Sequence, residues 1–201
     1  AGTDMTGAAI GEGIILDVSK HLNKLIRVTE DSAIVQPGMF YRDFEAETLK
    51  KGLILPTYPA SREICTVGGM AASNAGGELE LTYGPINKYL RKVKVVLADG
   101  NEYTFEALNQ NQLDKKIAQK DFEGKIYSEV YNLIENNRKI IEEARPKVSK
   151  NSTGFDLWDV WNEETFDLTK LIIGSQGTLG IITELEFKLV KPKKNQVLLV
   201  I

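Results

Sequence analysis

The chain has 201 residues, 42% hydrophobic and 26% charged, with a formal charge of −3, the make-up of an ordinary globular protein of one large or two small domains. Its apolar runs, Ile14–Leu16 and Val197–Ile201 among them, fall far short of the roughly 20 residues that a membrane-crossing helix needs, and the slight acidic excess offers nucleic acid no basic field. A single cysteine, Cys65, and a single histidine, His21, exclude an intrachain disulfide and leave too few ligands for a zinc or iron site.

A Ser-His-Asp arrangement would have to use His21, which stands among Ser19, Lys20, Asn23 and Lys24 and reads as a surface residue. The chemistry is therefore expected to come from a bound group. The first residues do not read as a signal peptide, and a cytoplasmic place, or one on the inner face of a membrane, is expected.

Glycine is unevenly spread. Of the 17 glycines, 12 fall in the windows 1–13, 68–84 and 174–180, which hold 37 residues. Such density weakens regular structure and asks for a local reason, either positive φ or backbone brought close to a partner. The first window, Ala1-Gly2-Thr3-Asp4-Met5-Thr6-Gly7-Ala8-Ala9, is a run of small and hydroxylated residues whose amides can converge on an anion such as phosphate. It is no Walker loop, because Ala8-Ala9 replace the required Lys-Ser/Thr. It is no dinucleotide fingerprint of the Rossmann type either, because Gly11-Glu12-Gly13 runs into Ile14-Ile15-Leu16. A plain turn leading into a strand is the other reading.

Short strands are predicted over Ile14–Val18 and Ala33–Val35, and an amphipathic helix over Tyr41–Lys51, with Phe44 and Leu49 inward and Gly52 as its stop. Pro56, Pro59 and Ser61 stiffen an extended approach to the second window. There Gly68-Gly69 reads as a loop entering a short helix at Met70-Ala71-Ala72, whose unpaired first amides favour negative charge. Tight helix packing on small residues explains the same composition. A hairpin follows, with Tyr89–Ala98 and Glu102–Phe105 joined at Asp99-Gly100 and Val93 and Val95 alternating against Lys92 and Lys94. A helical insertion spans about 110–147, where Ile126, Val130, Leu133, Ile134, Ile140 and Ile141 recur at helical spacing from Asp114 to Lys147. Arg145-Pro146 closes it, and its charges read as a solvated face. The third window, Gly174-Ser175-Gln176-Gly177-Thr178-Leu179-Gly180, reads as a loop feeding a strand. It lacks one residue of a nucleophile elbow, which argues against Ser175 as a catalytic serine.

Ordered landmarks along the chain resemble the flavin-binding domain of the vanillyl-alcohol oxidase/PCMH superfamily, and within it the branch of FAD-linked oxidases of the glycolate oxidase and D-lactate dehydrogenase type. They are Ala1–Gly7, Ile34-Val35-Gln36-Pro37-Gly38, Pro56–Gly77, Tyr83-Gly84, Asp99-Gly100 and Gly174–Thr183. The resemblance implies an α+β fold, a mixed or antiparallel sheet flanked by helices, without the N-terminal lobe such domains usually carry. It divides the chain into an FAD-binding domain over 1–191 and the start of a substrate-binding cap over 192–201.

It also implies non-covalent FAD in an extended pose. The contacts implied are Gly2, Thr3, Asp4, Met5, Thr6 and Gly7, with Thr66, Val67, Gly68 and Gly69, around the pyrophosphate. Asn74, Gly76 and Gly77 lie along the pyrophosphate or flavin, Gly177, Gly180 and Ile182 at the ribose and adenine end, and Pro59, Ser61, Tyr83, Gly84 and Ile181 are further cofactor contacts. Neither His21 nor Cys65 falls on the family's flavin-attachment positions, and Cys65 is expected to be a small buried residue. Lys150 is a candidate partner for a substrate carboxylate or the reduced flavin, and a surface lysine beside a turn is the other reading. The activity implied is oxidation of a small 2-hydroxy acid, such as D-lactate or glycolate, by hydride transfer to FAD. The substrate is held mainly by the cap, the electron acceptor is left open, and no catalytic residue is assigned. A non-catalytic binding module and a nucleotide- or phosphate-binding protein unrelated to flavin are the competing readings.

Overall fold

The computed structural model describes residues 1–5, 7 and 10–193. Thr6, Ala8, Ala9 and residues 194–201 of the expected cap start lie outside the described residues.

One antiparallel sheet organises the chain. Its strands are β1 (Leu25–Val28), β2 (Ser32–Val35), β3 (Leu90–Val96), β4 (Glu102–Glu106) and β5 (Ile181–Lys188), in the order β1-β2-β5-β3-β4. All four pairings are antiparallel. The hairpin forms as its alternation predicts. Val93 and Val95 are fully buried, while Lys92 and Lys94 stand on the other face and reach Glu106 at 2.8 Å and Glu184 at 3.1 Å across the neighbouring strands. Asp99 closes the turn by accepting the Asn101 amide, and Gly100 takes a φ of 81°. The last described strand, β5, sits at the centre of the sheet, with Leu185 and Phe187 buried. The sheet is therefore complete only when the segment near 185 has met those near 33 and 93.

Helices cover the apolar face. They are α1 (Tyr41–Leu49), α2 (Val67–Ala72), α3 (Glu80–Tyr83), α4 (Gln110–Ile117), α5 (Phe122–Ala144) and α6 (Thr169–Ile172). The predicted first helix forms, but Leu49 is half exposed rather than inward. The buried stripe of α1 is Tyr41, Phe44 and Thr48, and the next residue lies about 100° round the helix from Thr48.

The same offset corrects the insertion, which forms as α4 and α5. Tyr127, Ile134 and Ile141 are buried at intervals of two helical turns and Ile126 and Val130 are half-buried, whereas Leu133 and Ile140, one residue before the stripe, are exposed. Both helices start on side-chain caps, Asn109 with Gln112 in a reciprocal capping box and Asp121 on the Gly124 amide. A cluster of Phe105, Tyr127, Tyr131, Trp161 and Phe166, with ring centroids 5.9 to 6.3 Å apart, binds α5 to the sheet. The Trp161 indole N–H donates to Glu135, which also takes the Arg138 guanidinium.

The strand predicted over Ile14–Val18 does not form. No described strand pairs with it, and Ile14, Ile15 and Leu16 stand 100%, 69% and 57% exposed. A short apolar run alone does not make a strand without a neighbour for its backbone. Among the described residues no helix is long and apolar enough to cross a membrane.

Truncating the centre of the aromatic cluster with Phe166→Ala should destabilise the chain by about 3–5 kcal/mol. Leu133→Ala should stay within about 0.5 kcal/mol. Urea unfolding midpoints of the two variants check both expectations.

Candidate functional site

The three glycine windows, remote in sequence, meet at one cleft of about 560 Å³. The helix α2 forms its floor. Thr66 caps the helix by accepting the Gly69 amide on its hydroxyl at 3.3 Å, and Met70 and Ala71 are buried beneath. Gly68 is required for packing, because a Cβ there would lie 2.3 Å from the Pro37 Cβ. The third window is joined to the far end of this helix through its backbone: Gly174 N–H donates to Ala71 C=O at 2.9 Å and Gln176 N–H to Ala72 C=O at 2.8 Å.

The expectation of unpaired first amides on this helix is corrected. The helix begins at Val67, and its opening donors already have protein acceptors. Val67 N–H donates to Met39 C=O at 2.9 Å, Gly68 N–H to Pro37 C=O at 2.8 Å and Gly69 N–H to Thr66 Oγ1. A helix end satisfied this way keeps little donor capacity for an anion.

Of the expected contact residues, Gly2, Thr3, Asp4, Met5, Pro59, Ser61, Thr66, Gly68, Gly69, Gly177, Gly180, Ile181 and Ile182 line the cleft. Thr6 is outside the described residues. Gly7, Val67, Asn74, Gly76, Gly77, Tyr83 and Gly84 are not in the lining. Val67 is fully buried in the core. Gly76 and Gly77 abut the Glu80 carboxylate and the Tyr58 carbonyl. The Tyr83 and Gly84 carbonyls accept the hydroxyls of Tyr89 at 2.8 Å and Thr57 at 2.7 Å. Asn74 turns inward at a φ of 44° and is 5% exposed.

Sequence reasoning missed Leu16, Val18, Pro37, Cys65, Met70, Ala72, Ser73, Ala75 and Gln176 as lining residues. Most of them lie inside windows already singled out, so the signal was present at the level of the segment and absent at the level of the side chain.

The wall combines apolar surface from Leu16, Val18, Pro37, Met70 and Ile182 with the hydroxyls of Thr3, Ser61, Thr66 and Ser73. Among the described lining residues Asp4 is the one charged side chain. Such a site suits a ligand with flat apolar parts joined by polar groups, held by hydrogen bonds rather than by cations. Cys65 is buried, as expected, and burial pushes its thiol above the usual range, which disfavours the reactive thiolate. Lys150, the candidate partner for a substrate carboxylate or the reduced flavin, lies 3.0 Å from the buried Glu80 carboxylate. His21 is exposed. A second cleft of about 490 Å³, lined by Ser152–Phe155 and Gly174–Gln176, shares Asp4, Ser73 and Gln176 with the first.

Comparison with known proteins matches residues 1–106 to a family described as FAD binding domain. The chain is 30% identical over 187 residues to a D-2-hydroxyglutarate dehydrogenase of Escherichia coli (strain K12), covering 91% of this chain and 18% of that protein. It is 30% identical over 203 residues to the glycolate oxidase subunit GlcD of Bacillus subtilis (strain 168), covering 99% and 33%. With a D-lactate dehydrogenase of Anaerostipes hadrus it shares 29% over 205 residues, covering 100% and 32%. The chain thus spans between 18% and 33% of the length of these relatives. In fold it is similar to alkyldihydroxyacetonephosphate synthase, with a TM-score of 0.52 and 21% identity over 88% of this chain and 22% of that one.

Alkylation of Cys65 by iodoacetamide should be slow in the folded chain and should reach half its maximal rate at a higher pH than in urea, because the thiol is held protonated by burial. Equal rates in both states would contradict the placement. Gly68→Ala should lower the unfolding free energy by about 1–3 kcal/mol through overpacking on Pro37. Gly69→Ala, whose Cβ would meet only the Thr66 hydroxyl, at 3.1 Å, should lower it less in the same denaturation measurement.

Proposed function

This chain belongs to the FAD binding domain family, and on that premise we propose that its cleft holds FAD non-covalently within an oxidoreductase acting on a D-2-hydroxy acid. The observation that carries the reading is the convergence of the three glycine windows on one cleft whose described lining has neither lysine nor arginine. With the opening amides of α2 already bonded, partners for the pyrophosphate fall to the Gly2–Gly7 segment, Thr6 included, and to the hydroxyls of Thr3, Ser61 and Thr66. The Gly177–Ile182 stretch supports the ribose and adenine end. Asn74, Gly76, Gly77, Tyr83 and Gly84 act in this reading from behind the wall. Bound FAD supplies a hydride acceptor for the α-carbon of the substrate. The residues of this chain bind and orient that group, exclude water from its apolar parts and leave the grip on the substrate to a cap domain beyond residue 191. D-2-Hydroxyglutarate, glycolate and D-lactate are the substrates proposed, by similarity to the relatives. The proposed location is the cytoplasm or the inner face of a membrane.

Mixing the purified chain with FAD and passing it through gel filtration tests the reading. Flavin absorbance bands should elute with the protein, and excess ATP should not displace them. A colourless folded protein, or one from which ATP removes the flavin, would overturn it. Thr66→Ser should retain FAD affinity, whereas Thr66→Val, which loses both a ligand hydroxyl and the cap of α2, should weaken binding by about tenfold, the scale of roughly 1.4 kcal/mol for a lost hydrogen bond. In the full-length protein, anaerobic reduction of the flavin by each of the three hydroxy acids identifies the substrate.

A further inference from the structure

We infer that Asp156 is a positioning residue for the cleft: its buried carboxylate holds Asn74 and so fixes the corner where α2 turns away and Ser73 and Ala75 meet the ligand. The inference rests on the FAD reading for its functional consequence. Asp156 is 8% exposed, and the amides of three asparagines converge on it. Its Oδ2 accepts from Asn87 Nδ2 at 3.2 Å and from Asn74 Nδ2 at 3.5 Å, and its Oδ1 from Asn151 Nδ2 at 3.2 Å. Two of these donors come from remote parts of the chain, 69 and 82 residues away for Asn87 and Asn74. A buried carboxylate is tolerable only where donors replace its water, and here the donors are neutral side chains whose own places are thereby set.

Asn74 shows the effect. A carboxylate can only accept, so the Asn74 amide must turn its NH2 toward Asp156, and its Oδ1 is left buried without a hydrogen-bond partner. The residue also adopts the left-handed φ of 44°, which asparagine tolerates better than most. Its Cβ lies 3.3 Å from where a Cβ would stand on Gly174, the residue whose amide donates to Ala71. Pulling Asn74 inward leaves its neighbours Ser73 and Ala75 in the wall of the cleft. The same loop grips the corner a second time. Lys150 reaches Glu80 at 3.0 Å, and the Glu80 carboxylate fills the space that a Cβ on Gly76 would need, at 1.7 Å. The segment 150–156 thus acts as a brace behind the wall, and Asn74, expected to touch the flavin, is a strut of that brace.

Asp156→Asn tests this with little change in volume, because the new side chain sets an NH2 group against the NH2 of an asparagine partner. Hydrogen exchange of the FAD-free chain should rise at 71–77 and 174–178 and stay unchanged in the β3–β4 hairpin. The dissociation constant for FAD should rise about tenfold. Glu135→Gln, which loosens the Trp161 and Arg138 contacts away from the cleft, is the control, and it should leave FAD affinity unchanged at a comparable loss of stability. Exchange that rises only within 151–159 or throughout the chain overturns the inference, as does equal weakening of FAD by the control. If the unaltered chain takes up no FAD, the functional reading fails, and the exchange pattern alone decides the role of Asp156.

Discussion

The cleft depends on how the backbone of one short helix is satisfied at both ends. A helix of six residues, α2, has more unpaired terminal groups than internal hydrogen bonds and does not persist on its own. Here its first donors go to Pro37, Met39 and Thr66, and its last carbonyls, on Ala71 and Ala72, receive the amides of Gly174 and Gln176. The helix is thereby fixed between the end of β2 and the loop entering β5. Small side chains follow from that arrangement, since backbone must approach backbone on both sides, and the polar face of the cleft is built from hydroxyls rather than from helix-end amides.

This outcome separates two explanations for glycine that look alike in a sequence. Gly68 is small because Pro37 occupies the space of a side chain, an intramolecular reason. Gly177 adopts a φ of 76° and faces the cleft, a conformational reason at the ligand side. Both readings were open for the second window, and the packing reading holds for the start of α2.

The hairpin was legible from its alternation and the strand after the third window from the glycine loop that feeds it, though not its central place; the meeting of the windows followed from the shared FAD contacts that the resemblance implied. Leu49, Leu133 and Ile140 were misplaced because a helix buries a narrow stripe, and periodic spacing does not say which of two adjacent apolar residues lies on it. Ile14–Val18 has the pattern of a strand, but pairing is a tertiary property. Asp156 gave no signal at all: a carboxylate in a polar turn looks solvated, and its three asparagine partners are scattered through the chain. The family supplies FAD as the cofactor, while the geometry says which of this chain's own groups are available to meet it.

The central position of β5, the last described strand, also sets an order in time. During synthesis the floor of the cleft is made from residues near 70, yet the partners of its open end are more than a hundred positions downstream. A ribosome-bound chain lacking those positions has neither the middle of the sheet nor the second wall. FAD held between the two walls, as proposed, would therefore be taken up late, after translation of this domain, and would lock the early and late parts of the polypeptide against each other.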